Sequence, residues 1–242
     1  MADAKRASFN LKEAVQNSVD SVKAQWQPCL AIQIAAVVLV IAYYQLPAFR
    51  QSFQTISEWK VAGGLWFAFI AGSIAGGIIP EVAKLVSFKL KKLDKKWMID
   101  TAFNTFVYGI VGLQVYIFYH FQTIWFGDGN DFKTLALKTL IDMAFFSTII
   151  SIPTAVTLFE LKRLKFNFKE LGEELRGGYY LRKIVPALLP CWAFWTPILF
   201  CIYAFPTDLQ YPISTLAEAA WSILFVFMAT KHERTEPADM AN

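Results

Sequence analysis

Four ionisable side chains, His120, Lys138, Asp142 and Glu218, stand inside otherwise apolar stretches of this 242-residue chain. Groups of this kind withdrawn from water exchange protons as acid and base, line a wet path for a solute, or satisfy one another in a fixed network. Lys138 and Asp142 are four residues apart, one helical turn on one face, although base before acid is the less favourable order for an ion pair. His120 and Asp142 would form an acid–base pair only within hydrogen-bond reach of about 3 Å. The chain carries no H-E-x-x-H, no G-x-S-x-G and no phosphate-cradling glycine loop, so we expect no enzyme and no catalytic residue. Cys29, Cys191 and Cys201 lie in or beside apolar runs without C-x-x-C spacing, and His120 and His232 are the only histidines. Neither a metal site nor a cofactor is expected.

The elements that hold these groups must be membrane spans. Apolar residues make up 56% of the chain and charged residues 17%, against roughly 25% charged in an average soluble domain; the mean hydropathy is +0.40. Disorder is excluded, because it needs few hydrophobes and a high net charge. A net charge of +4 is a topology signal here and implies no nucleic-acid partner. Stretches poor in charge and about 20 residues long fall at about 28–47, 62–80, 101–126, 134–160, 184–206 and 212–230. Lysine and arginine alternate strongly between the connecting segments: four in residues 1–27, six in 81–100, seven in 161–183 and two in the tail. Only Arg50, Lys60 and Lys133 lie in the others, with Lys138 inside a span. The positive-inside rule then predicts an all-α polytopic bundle of about six spans with both termini cytoplasmic, or on the equivalent matrix side. The lipid bilayer is the expected partner, with a small solute and a second copy of the chain as further candidates.

Residues 1–27 show Leu11, Val15, Val19, Val22 and Trp26 on one helical face, which predicts an amphipathic helix lying on the membrane rather than a signal or transit peptide. Residues 28–230 form the transmembrane domain and 231–242 a polar tail. Gly64, Ala68, Gly72 and Gly76, spaced by four, form a stripe that lets a neighbouring helix approach closely. That neighbour is another span of the bundle or a second subunit. Pro153, Pro186, Pro190 and Pro197 predict kinks.

Asp142 lies eight residues into its predicted span, roughly 12 Å at 1.5 Å per residue, and His120 and Glu218 lie at roughly 9 Å. With Lys138 they would converge on one leaflet, with Gln114 deeper, as a vestibule or as a static hydrogen-bond network. Glu81 and Glu160 are explained by pairing at the inner helix ends. The loop 161–183 mixes basic and aromatic residues, a pattern that sets topology and can hold anionic headgroups.

Trp195, Pro197, Pro206, Gln210 and Trp221 stand in a fixed spacing in the carboxy-terminal third. This resembles the signature of the Mpv-seventeen and peroxisomal-membrane-protein-twenty-two family of small integral membrane proteins. GSIAGG at 72–77, Gly112 with Tyr119, and LKTLID ending at Asp142 agree in order, so the resemblance runs over about 60–228. Gln210 stands where the family usually has arginine, Met143 where it has glutamine, and Leu199 with Ile202 or Tyr203 where it has glutamine and asparagine. The resemblance implies a divergent member, in a bacterial inner membrane or an organellar one (mitochondrial inner or peroxisomal). It also implies a channel-like pathway for small solutes or metabolites, or else a non-conducting structural role in membrane homeostasis.

Overall fold

A computed structural model describes residues 16, 18–20, 22–23, 26–86, 93–176 and 178–232, with side chains to residue 223. Every regular element among these residues is helical. The first helices are α1 (Trp26–Gln45), α2 (Pro47–Ser52) and α3 (Gln54–Gly72), continued through a π turn, π1 (Ser73–Ile78), into α4 (Ile79–Val86). There follow α5 (Lys95–Phe126), α6 (Phe132–Ile141), π2 (Asp142–Ser151), α7 (Ile152–Arg163) and α8 (Phe168–Arg176). The chain closes with π3 (Tyr180–Ile184), α9 (Val185–Tyr203) and α10 (Thr207–His232).

Five helices are long and apolar enough to cross a membrane: Trp26–Gln45, Pro47–Val86, Lys95–Phe126, Phe132–Arg163 and Tyr180–Tyr203. Their apolar side chains point outward as well as inward. Trp66 is 76% and Phe132 77% exposed, an arrangement stable in hydrocarbon and costly in water at about 25 cal/mol per Å². The chain is an integral multi-pass membrane protein.

Local sequence explains the helix starts. Asp94 accepts from the N–H of Trp97 at 2.8 Å and caps α5. Asp131 accepts from the N–H groups of Lys133 and Thr134 and the Thr134 hydroxyl, capping α6. These bonds hold the Asp131 carboxyl below the usual range, the Thr134 hydroxyl contributing most. The three π stretches share one cause: each ends two residues before a proline, Pro80, Pro153 or Pro186. Proline lacks an N–H and crowds the carbonyl four residues back, and widening the preceding turns to i→i+5 bonding relieves that crowding. Pro190, Pro197 and Pro212 remain within α-helix.

The glycine stripe is filled from within the chain. A Cβ on Gly72 would lie 2.7 Å from the Tyr108 carbonyl oxygen, and one on Gly76 would collide with the Tyr108 ring. On α5, a Cβ on Gly112 would lie 2.8 Å from the carbonyl oxygen of Ala68. Small residues on both helices thus bring α3–π1 against α5. Gly64 departs from the expected stripe. Its φ of +50° and ψ of −124° break the helix, and nothing lies within 4 Å of where its Cβ would be.

From α10, the Tyr211 hydroxyl donates to the Ala68 carbonyl at 2.6 Å and the Ser222 hydroxyl to that of Ala75 at 2.9 Å. On the other side α1 meets α9, where Gln33 donates to the carbonyls of Ala193 and Phe194. The expected amino-terminal amphipathic helix lies largely outside the described residues, as does the tail beyond His232. Within its described part the Ser18 hydroxyl donates to the Pro186 carbonyl at 2.9 Å.

Candidate functional site

The α5–α6 hairpin, π2 and the end of α9 gather the buried polar groups. Asp142, 3% exposed, is the first residue of π2. The Ser147 hydroxyl donates to one of its oxygens at 3.2 Å and the Tyr203 hydroxyl to the other at 2.5 Å. Ser147 is five residues on, the spacing that an i→i+5 turn brings together; the Thr148 hydroxyl bonds the Met143 carbonyl by the same geometry. Gln122 donates from Nε2 to the Tyr203 hydroxyl at 3.2 Å and to the Lys138 carbonyl at 2.9 Å. The bonds run in one direction, from the Gln122 amide through the Tyr203 phenol to the Asp142 carboxyl.

Lys138 is fully buried. Its Nζ lies 5.8 Å from the centre of the Tyr203 ring and has no hydrogen-bond partner among the described residues. The exposed Asp128, in the loop before α6, is the carboxylate that acts on it electrostatically. Gln122 Oε1 and Thr139 Oγ1 are likewise buried and unpartnered. The expected Lys138–Asp142 ion pair does not form, because Asp142 opens the π turn and both its oxygens are taken by hydroxyl groups.

The other candidates separate. His120 is exposed, on a face of α5 shared with Ile117, Phe121 and Ile124, and its ring neighbour is Phe121. It takes no part in the network. Gln114 donates to the Thr154 hydroxyl at 3.1 Å, away from Asp142. Glu218 is half-buried on the α10 face that carries Tyr211 and Ser222, and so lies toward α3 and π1. It forms no hydrogen bond or ion pair among the described residues, and its electrostatic neighbours include Tyr108, Tyr211 and Cys191. Because α10 begins at Thr207 rather than near 212, Glu218 is about 16 Å along its helix instead of about 9 Å. The four-membered vestibule is therefore replaced by Lys138, Asp142, Gln122 and Tyr203.

On α4, Glu81 accepts from Lys84 at 2.5 Å and from the Trp97 indole at 2.9 Å. Glu160 pairs with Arg163 and, at 3.8 Å, with Lys183. Among the family-like positions, Trp195 and Trp221 both meet the Phe194 ring. The Pro206 carbonyl receives the first bonds of α10, from Leu209 and Gln210, and Pro197 stays exposed within α9. Gln210, 1% exposed, donates to the Phe205 and Tyr203 carbonyls and so closes the end of α9.

Gln122 and Ser147 are the partners that sequence reasoning missed. The signal for Gln122 was its place three and four residues beyond Tyr119 and Phe118, on the buried face of α5. Tyr203, which with Ile202 was one of two positions standing where the resembled family has asparagine, supplies the phenol that binds Asp142. A cleft of about 430 Å³ opens beside the turn that follows Tyr203, with Tyr43, Arg50, Gln54, Ser57, Pro206 and Asp208 among its lining residues. Comparisons with family models, curated proteins and solved structures find no match.

Proposed function

We propose that this chain is a six-span membrane protein with both termini on the cytoplasmic or matrix side, and that its outer polar cluster is part of a channel-like pathway for small solutes. The observation that carries the reading is Lys138, an ammonium fully buried without a hydrogen-bond partner among the described residues, near the unpartnered oxygens of Gln122 and Thr139. Insertion scales charge about 2.5–3.5 kcal/mol for a lysine at the centre of a span and less at the depth of Lys138, about 9 Å from the start of its helix, and well-packed apolar residues in place of buried charges are often neutral or stabilising. Keeping a cation there makes sense if water or a passing solute completes its bonding. A sixth crossing is supported by the 26 residues of α10, about 39 Å at 1.5 Å per residue, and by the alternation of basic loops. Resemblance to the Mpv-seventeen and peroxisomal-membrane-protein-twenty-two family, for which non-selective pores have been proposed, points the same way.

Solute-driven swelling of liposomes holding the purified chain tests this. Wild-type protein should pass small solutes, and Lys138→Met should lower the rate tenfold or more. Absence of flux in the wild type, with a Lys138→Met protein that unfolds later than wild type, refutes the pathway. The reading left is a non-conducting structural or partner-binding bundle, which the full occupancy of both Asp142 oxygens favours.

A further inference from the structure

The apolar helix that runs from Phe132 ends at Arg163, so the turn beyond it lies at a membrane face. The N–H of Phe166 donates to the Leu161 carbonyl and that of Lys165 to the Lys162 carbonyl, both at 2.9 Å, the pattern of a Schellman cap. Lys165 occupies the left-handed position at φ +52°, followed by Phe166 at +62°. Glycine is the ordinary occupant there, because a Cβ crowds the backbone. Lysine is thus held at a position where backbone geometry alone favours glycine.

The cations at this end fall into two sets. Lys162, Arg163, Arg182 and Lys183 each have a carboxylate within ion-pair reach. Lys95, Lys96, Lys165, Lys169 and Arg176 are exposed and have none among the described residues. The Lys162–Asp100 pair at 2.8 Å and the Phe166 ring, 5.9 Å from that of Phe103, hold the start of α5 beside the turn. Of the nearby acids, Glu170 accepts from Asn167 in the cap of α8 and Glu174 pairs with Arg182, while Glu173 is exposed without an ion pair among the described residues, so five exposed cations face one free carboxylate and two engaged ones. Phe168, 70% exposed, stands among these charges. An amphipathic helix with free cations and exposed aromatic rings at headgroup level suits an anionic interface.

We infer that this face binds the headgroups of anionic phospholipid in the bilayer that the helices cross. The inference is independent of conduction. The full chain in neutral detergent, mixed with phosphatidylglycerol or phosphatidylcholine and washed, should retain the anionic lipid in at least tenfold excess when bound lipid is counted by native mass spectrometry. That excess should disappear in 1 M salt, where charge is screened. Lys165→Gly should weaken retention about fivefold, one basic residue's share, while unfolding no earlier than wild type. Adding Lys169→Gln and Arg176→Gln should bring the two lipids close to equal retention. Lys133→Gln, at the opposite end, should change nothing. Equal retention of the two lipids by the wild type, full retention by the triple variant, or an equal loss from Lys133→Gln overturns the inference.

Discussion

Tyr203→Phe removes a single oxygen and cuts the hydrogen-bonded chain at its middle. The ring stays, with its contact to Tyr119 at 5.2 Å between centroids, so no cavity forms. Two bonds disappear, the 2.5 Å donation to Asp142 and the 3.2 Å acceptance from Gln122. A bond to a charged group contributes about 1.5–3 kcal/mol, whereas side-chain bonds between membrane helices average about 0.6 and reach about 1.7 kcal/mol. Asp142 keeps Ser147, and Gln122 keeps the Lys138 carbonyl. The expected loss with an ionised Asp142 is therefore about 2–3 kcal/mol, and with a neutral one about 1 kcal/mol. Reversible unfolding in mixed detergent micelles measures it, and a double-mutant cycle with Asp142→Ala isolates the pair. Contacting residues in one network couple by about 0.5–3 kcal/mol. A coupling within about 0.3 kcal/mol of zero, the additive limit, would show that the phenol and the carboxyl act independently and would refute the network.

Gly112→Ala should destabilise the chain by about 1–3 kcal/mol in the same assay, since its Cβ would press on the Ala68 carbonyl and the Tyr211 hydroxyl. Gly172→Ala, on α8 with nothing within 4 Å, should instead stabilise it by up to about 1 kcal/mol. Reversal of that order would discredit the close α3–α5 approach. Asp131→Ala should lose the cap of α6 in a pH-dependent way. Its carboxyl titrates below its unfolded value of about 3.9, so its stabilisation is present above that pH and is lost as pH falls through the lowered value. The stability difference between wild type and variant should hold from pH 7 to 5 and vanish in stronger acid. A gap that grew on acidification would contradict the assignment.

How far the molecule could be read from its residues depends on the length scale. Helix positions were legible because a span needs a long apolar run and none of the charged loops can satisfy it. The glycine stripe was legible for the same kind of reason at Gly72 and Gly76, where only small residues permit the observed approach to Tyr108. Gly64 was not, since four-residue spacing cannot distinguish a packing contact from a left-handed break. Partners within the site were the hardest to read. A helical period of 3.6 put Lys138 under Asp142, yet the turn that begins at Asp142 is wider and pairs the acid with Ser147 instead. Tyr203 comes from a helix 61 residues away, and no local pattern announces such a contact.

Two of the wide turns also divide a long span, Pro47–Val86 or Phe132–Arg163, into two halves that need not share a bearing. An α-helix advances about 100° for each residue, so gaining or losing one residue inside such a turn swivels everything beyond it by that amount. The glycine contacts of the α3–π1–α5 crossing and the Glu81–Trp97 clasp beyond it can therefore be aimed separately, as can the Asp142 cluster and the Glu160 clasp at the far end of α7. A span of this kind is a jointed rod, with Pro80 or Pro153 just beyond its joint.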